Sequence, residues 1–126
     1  MSQDVVSDAL NMIQNAKRAR KDSLEVNRVS NLLIEVLKIM KQKGAVKKYK
    51  INAKDKSVEI ILGDFIKCKA IKPRYTVKKD QFEKYRRRFL PAKEVGTLIF
   101  STNKGVKTHS EVEEEGLGGI LLAYFY

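Results

Sequence analysis

The sequence of 126 residues predicts an α+β fold: an N-terminal α/β lobe (helix, strand, helix, hairpin) over 1–65, then a mainly β C-terminal lobe with a short helix over 66–126. Two observations carry this. Before Gly44, apolar residues recur twice at three- and four-residue steps, the period of a helix face. After it the period shortens, and apolar runs such as Thr97–Phe100 and Ile120–Tyr126 are bounded by turn residues. The 43% hydrophobic content supplies a core, and a chain this long buries roughly two-thirds of its unfolded surface.

Val6, Ala9, Leu10, Ile13 and Ala16 mark a helix over about 5–19. Asp4 or Ser2 can cap it, and Arg18, Arg20 and Lys21 cluster at its C-terminal end, where the dipole favours cations. Ser23–Val26 is long enough for one strand. Val29, Leu32, Leu33, Val36, Leu37 and Met40 form the second stripe, starting near Asn27 to Ser30 and stopping at Gly44, a left-handed cap. Val46–Ala53 and Ser57–Leu62 flank Lys54-Asp55 and read as a hairpin. Ile66–Ile71 reads as further strand, Lys72-Pro73-Arg74-Tyr75 as extended chain, and Lys78–Phe89 as a short helix ended by Pro91. Ser101–Gly105 is a turn, and Thr108-His109-Ser110-Glu111 fits a capping box for a brief helix halted by Gly116, Gly118 and Gly119.

Charge narrows the function. There are 26 Lys+Arg against 15 Asp+Glu, a net of +11, which points to a polyanion or an anionic surface. Residues 1–107 hold all 26 cations and 11 acids, a net of +15, whereas 108–126 hold only four acids, Glu111, Glu113, Glu114 and Glu115. One cysteine, Cys68, allows no internal disulfide and suits a reducing compartment. One histidine and one cysteine cannot build a His/Cys zinc site, so no metal or cofactor is expected. No apolar run approaches the roughly 20 residues of a membrane span, and the first residues do not resemble a signal peptide, so a soluble intracellular protein is expected.

Ser101–Gly105 offers two hydroxyls, an amide, an ammonium and a flexible glycine, groups that can address phosphates, 2′-hydroxyls and base edges. Spacing alone is better explained by a loop bonding to itself. Lys84, Arg86, Arg87 and Arg88, interleaved with Tyr85 and Phe89, are either a phosphate clamp with a stacking ring or a solvated helix face. Arg74 and Tyr75 sit on an arm that is either an RNA contact or a connector, and Lys47, Lys48 and Lys50 suit nonspecific phosphate attraction. No enzyme is expected. His109 lies inside the capping box, Glu111–Glu115 read as a solvated helix face, and Cys68 as a buried structural thiol.

The order Gly96-x-Leu98-Ile99-x-Ser101-Thr102-x-Lys104-Gly105-Val106-x-Thr108-His109, then Gly116-Leu117-Gly118-Gly119 and Ala123-Tyr124-Phe125-Tyr126, resembles the eighth-protein family of the small ribosomal subunit. Ser7-Asp8-Ala9-Leu10-Asn11-Met12-Ile13-x-Asn15-Ala16 is similar to its first helix and Val36-Leu37-Lys38 through Gly44 to its second. Ile71-Lys72-Pro73-Arg74-Tyr75 and Arg88-Phe89-Leu90-Pro91-Ala92-Lys93 resemble its archaeal and eukaryotic branch.

The resemblance implies a structural constituent of the small ribosomal subunit that binds small-subunit rRNA in its central domain and assists platform assembly. The alternative is a translational repressor that binds a messenger mimicking that site. The family's Ser-Thr-Ser-Lys-Gly loop, which enters an irregular RNA helix, carries over to Ser101, Thr102, Lys104 and Gly105, with Asn103 in place of serine. Asn15 and Ser30 match positions near RNA, while Arg28 and Asn31 depart from the family's Pro-x-Ser-Lys start to the second helix. The expected rRNA-binding set is therefore Ser101, Thr102, Asn103, Lys104, Gly105, Asn15, Ser30, Arg74, Tyr75, Arg86 and Arg87. The expected partners are small-subunit rRNA and neighbouring small-subunit ribosomal proteins, with no membrane. The free chain is expected to be a cytoplasmic monomer.

Overall fold

Val6, Ala9, Leu10, Ile13 and Ala16 line the buried face of helix α1 (Val5–Arg18), as their spacing demands. The computed structural model describes residues 5–52, 54, 56–78, 80–91 and 95–126, with 72–74 described by their backbone alone. The cap candidates Ser2 and Asp4 and the turn residue Asp55 lie outside the described residues. The chain divides into two units, Met1–Cys68 and Lys69–Tyr126.

In the first unit α1 is followed by β1 (Ser23–Val26), α2 (Asn31–Gln42), β2 (Val46–Asn52) and β3 (Ser57–Leu62). The sheet order is β1-β3-β2, antiparallel throughout. Val58, Ile60 and Leu62 alternate along β3 and are buried, as are Leu33, Val36, Leu37 and Met40 of α2. Each such aliphatic side chain contributes roughly 1.5–3 kcal/mol by leaving water. The second helix starts later than its stripe suggests. Ser30 is its N-cap, with Oγ accepting from Leu33 N–H at 3.1 Å, so Val29 precedes the helix. Gly44 follows it at φ +86°. The register slips between Val46 and Lys48, and Lys47, Lys48 and Lys50 all stay exposed on this edge strand.

Cys68 closes this unit. Its amide donates to Gln14 Oε1 at 2.7 Å and its thiol donates to Leu10 O at 3.5 Å. Burial pushes the thiol up to about 12, so at neutral pH it is a protonated packing group.

The second unit holds β4 (Cys68–Val77) from Lys69 onward, α3 (Phe82–Phe89), β5 (Thr97–Thr102), β6 (Gly105–Thr108), α4 (His109–Glu115) and β7 (Gly119–Phe125), with sheet order β4-β7-β5-β6. Its core gathers Ile71, Val77, Phe82, Leu90, Leu98, Phe100, Val112, Leu121 and Tyr124. The α+β class of the sequence reading holds. Three details differ. Cys68–Val77 is one strand rather than a strand plus connector, and Pro73 fits because β4 is an edge, where no neighbour needs its missing N–H. Helix α3 starts at Phe82, not Lys78, and ahead of it Gln81 N–H donates to Lys78 O at 3.0 Å. Residues 105–108 pair with β5 as a strand that the sequence did not reveal.

Candidate nucleic-acid interface

The turn Ser101–Gly105 is the tip of the β5–β6 hairpin. Ser101 pairs with Val106 and Thr102 with Gly105, so only Asn103 and Lys104 turn the chain. Among the described non-glycine residues only Arg20 and Lys56 have positive φ, so Asn103 and Lys104 turn at negative φ. Gly105, at φ +110°, takes the conformation that lets the strands return with the right twist.

Thr102 holds this shape. Its Oγ1 accepts from Lys104 N–H at 3.1 Å and donates to Gly105 O at 2.8 Å. The hydroxyl expected to reach RNA is thus largely engaged within the turn, with one lone pair left. Asn103 and Lys104 are exposed and Ser101 is half-buried. Their side chains have no hydrogen-bond partner among the described residues. The tip therefore presents an amide, an ammonium and a hydroxyl from a frame that bonds to itself.

The elements around the hairpin fix its base. The α4 capping box forms as its sequence demands: Glu111 N–H donates to Thr108 Oγ1 at 3.3 Å, and Thr108 N–H donates to Glu111 Oε1 at 3.3 Å. His109 Nδ1 accepts from Leu98 N–H at 3.1 Å, so the lone histidine anchors β5. Lys107 lies 4.0 Å from Glu111 and 3.3 Å from Glu115, so the acidic helix neutralises the last cation of the chain. Gly119 is a residue the sequence reading did not place in the site. A Cβ there would stand 2.9 Å from Ser101 O and 3.0 Å from Thr102 Cγ2, so only glycine lets β7 pass this close beneath the tip.

Helix α3 distributes its arginines unequally. Arg86 makes a bidentate pair with Glu83, through Nε at 3.2 Å and through Nη2, and that carboxylate holds its pKa above the ordinary value against the opposing effect of desolvation. Arg87 Nε lies 3.8 Å from the same Glu83. Arg88 instead lies over rings: its Cζ is 5.3 Å from the centroids of both Tyr75 and Phe89. Tyr75 also packs on Tyr85, with centroids 5.5 Å apart. Arg88 is the member of the cluster that the sequence-predicted set passed over. The signal that would have found it, Tyr75 on a distant strand, is tertiary.

Asn15 lies exposed on α1 in the first unit, where it lines a groove with Met12, Lys21 and Ser23. Ser30 is in the same unit and its Oγ already serves α2 as a cap. The side chain of Arg74 lies outside the described residues. Ser101, Thr102, Asn103, Lys104 and Gly105 come together at one tip, and Tyr75, Arg86 and Arg87 belong to the same unit as that tip. Among the described residues, no three His, Cys, Asp or Glu side chains converge as a metal site, and no helix is long and apolar enough to cross a membrane.

The family model described as "Ribosomal protein S8" matches residues 4–126, nearly the whole chain that carries this hairpin. The chain belongs to the ribosomal protein S8 family. It is 40% identical over 129 residues to "Small ribosomal subunit protein uS8" of Nanoarchaeum equitans (strain Kin4-M), with all of both chains covered. It is also 41% identical over 127 residues to the protein of that name from Methanococcoides burtonii (strain DSM 6242 / NBRC 107633 / OCM 468 / ACE-M), covering 98% of this chain and 97% of the relative. Both relatives are archaeal, in line with the branch that the Lys72–Tyr75 and Arg88–Lys93 segments resemble. S8 proteins are structural ribosomal proteins rather than enzymes, in agreement with the non-enzymatic reading of the sequence.

Proposed function

We propose that this chain is a structural constituent of the small ribosomal subunit that binds small-subunit rRNA directly in its central domain and assists platform assembly. It works in the cytoplasm, as a monomer when free, beside neighbouring small-subunit ribosomal proteins. The observation that carries the reading is the self-bonded hairpin tip, which leaves Asn103, Lys104 and Ser101 facing outward with unfilled hydrogen-bonding capacity. Irregular RNA displays unpaired base edges and 2′-hydroxyls, and a pre-shaped turn meets them without first ordering itself. Lysines and arginines add attraction to phosphates that is indifferent to sequence. Asn15 and Ser30 make a second, N-terminal contact, and Arg74, Tyr75, Arg86 and Arg87 contribute from the C-terminal unit.

The test is Asn103→Ala titrated against a central-domain rRNA fragment and against a generic RNA duplex of equal length. Loss of the amide contact lowers affinity for the fragment by roughly 5- to 10-fold and leaves the duplex unchanged. Equal losses on both RNAs would falsify hairpin recognition.

A further inference from the structure

We propose that the cleft between β4, α3 and β7 is a stacking slot for a single unpaired nucleotide of the bound RNA, distinct from the hairpin contact. It rests on the rRNA-binding reading above and adds a ligand class and a position to it. The cleft measures about 120 Å³ and is lined by Lys69, Ile71, Tyr75, Arg88, Phe89 and Tyr124.

Its lining is built for a flat, electron-rich guest carrying negative charge. The Arg88 guanidinium is already laid over Tyr75 and Phe89, at 5.3 Å from each ring centroid. The Phe89 ring packs on Tyr124 at 5.4 Å, and Tyr124 stacks on Tyr126 at 6.3 Å with planes 14° apart. These contacts fix the rings before any ligand arrives, which removes part of the ordering cost of binding. Among the described residues, no carboxylate lies within ion-pair distance of Arg88, and none lines the cleft. Two cations, Lys69 and Arg88, therefore face the cleft uncompensated, in contrast to Arg86 and Arg87 beside Glu83. A cationic peptide side chain is repelled there. An unpaired base stacks on the guanidinium and rings, and its phosphate sits by the ammonium.

The slot and the hairpin share one sheet, on opposite edge strands. Tyr124 pairs with Leu98, and Thr102 lies four positions farther along β5, about 13 Å at ~3.3 Å per residue. Three strand spacings add about 14 Å across the sheet, so the two contacts lie roughly 20 Å apart. One folded RNA element spans that distance.

The experiment uses the full chain and the central-domain rRNA fragment, with Arg88→Ala, Arg88→Lys and Asn103→Ala compared by titration across salt. Ultraviolet crosslinking with peptide mapping locates contacted rings. Arg88→Ala should lower fragment affinity by roughly 5- to 100-fold, the range for losing one stacked base. Arg88→Lys keeps the charge and the salt slope yet should still lose about 5-fold, because an ammonium cannot stack. A nucleotide adduct should map to Tyr75 or Phe89. Because Arg88 is exposed, both variants should melt like the parent; should the alanine variant not fold, the lysine variant decides.

Wild-type affinity in Arg88→Lys would reduce the site to a point charge and overturn the slot. Equal losses on generic duplex would make it a phosphate contact. In intact subunits, crosslinks from the cleft to a neighbouring protein instead of RNA would make it a protein interface. Loss of fragment binding in Asn103→Ala with none in either Arg88 variant sinks the slot and leaves the hairpin standing. No binding by the parent chain would mean instead that the rRNA reading itself has failed.

Discussion

In the β5–β6 hairpin polar atoms bond to one another, with Thr102 Oγ1 taking Lys104 N–H and giving to Gly105 O. In α3 the charged atoms of Arg86 and Arg87 converge on one carboxylate, Glu83. Both arrangements precede any RNA, yet they prepare different things. The hairpin's bonds fix the shape of the surface proposed to meet RNA, and on that proposal they persist in a complex. The Arg86 side chain is only 11% exposed, so its pair with Glu83 is largely covered. Arg87 is 77% exposed and its longer pair is worth little in water, so a phosphate can replace the carboxylate there. On that proposal, shape belongs to the self-bonded turn and adjustable attraction to the charged helix.

Phe100→Ala should break both regions together and has the largest expected effect. Phe100 lies two residues before Thr102, is wholly buried, and meets Phe82, the first residue of α3, edge to face at 5.3 Å. Removing a buried phenylalanine costs about 3–5 kcal/mol, read as a lower urea midpoint. A loss below about 1 kcal/mol would show that the hairpin and α3 do not share this core.

Gly119→Ala should separate them. Its Cβ presses on Ser101 O and Thr102 Cγ2, and relieving that contact costs about 1–3 kcal/mol. Discrimination between cognate RNA and duplex should fall, while duplex affinity, which depends on cations elsewhere, is retained. Parallel loss on both RNAs would deny the hairpin its special part.

Thr102→Ala and Asn103→Ala sharpen the difference within the tip itself. Thr102→Ala removes two bonds of the frame, so about 1 kcal/mol of stability goes and Lys104 N–H exchanges faster by NMR. Asn103→Ala removes only a presented group, so thermal unfolding is unchanged although cognate affinity drops. Identical melting of the two variants would contradict the division into frame and presented groups.

The legibility of these regions in the sequence divides along the same line. The Thr108–Glu111 capping box and the α1 stripe were readable because their partners lie three or four residues apart. Ser101–Gly105 was readable as a turn, and the resemblance pointed to it as the RNA contact. That the loop bonds to itself was the reading its spacing favoured, and Thr102 bears it out. The pairing of β6 that closes the hairpin was not readable, because its four residues carry no strong strand pattern. The start of α3 was misplaced because Lys78–Asp80 carry nothing to bury, and only Phe82 begins the apolar face. Arg88 was indistinguishable from Arg86 and Arg87 in sequence. It differs from them only because β4 brings Tyr75 beneath it, thirteen residues earlier in the numbering and on another element.

Glu83→Gln has the smallest effect and the opposite sign. The amide no longer compensates Arg86 and Arg87, so the exposed Arg87 guanidinium becomes available to a phosphate, while Arg86 stays largely covered. Duplex affinity at low salt should rise a few-fold, and the slope of log affinity against log salt should steepen by about one for each added phosphate contact. Cognate affinity should gain no more than duplex affinity, because the hairpin is untouched, so discrimination stays flat or falls. Glu114→Gln, an exposed position on α4, makes the same change in net charge and serves as the control. If both variants steepen the slope equally, the long-range field is responsible. If only Glu83→Gln does so, Arg87 is held in reserve by one carboxylate, and α3 is the adjustable half of the surface.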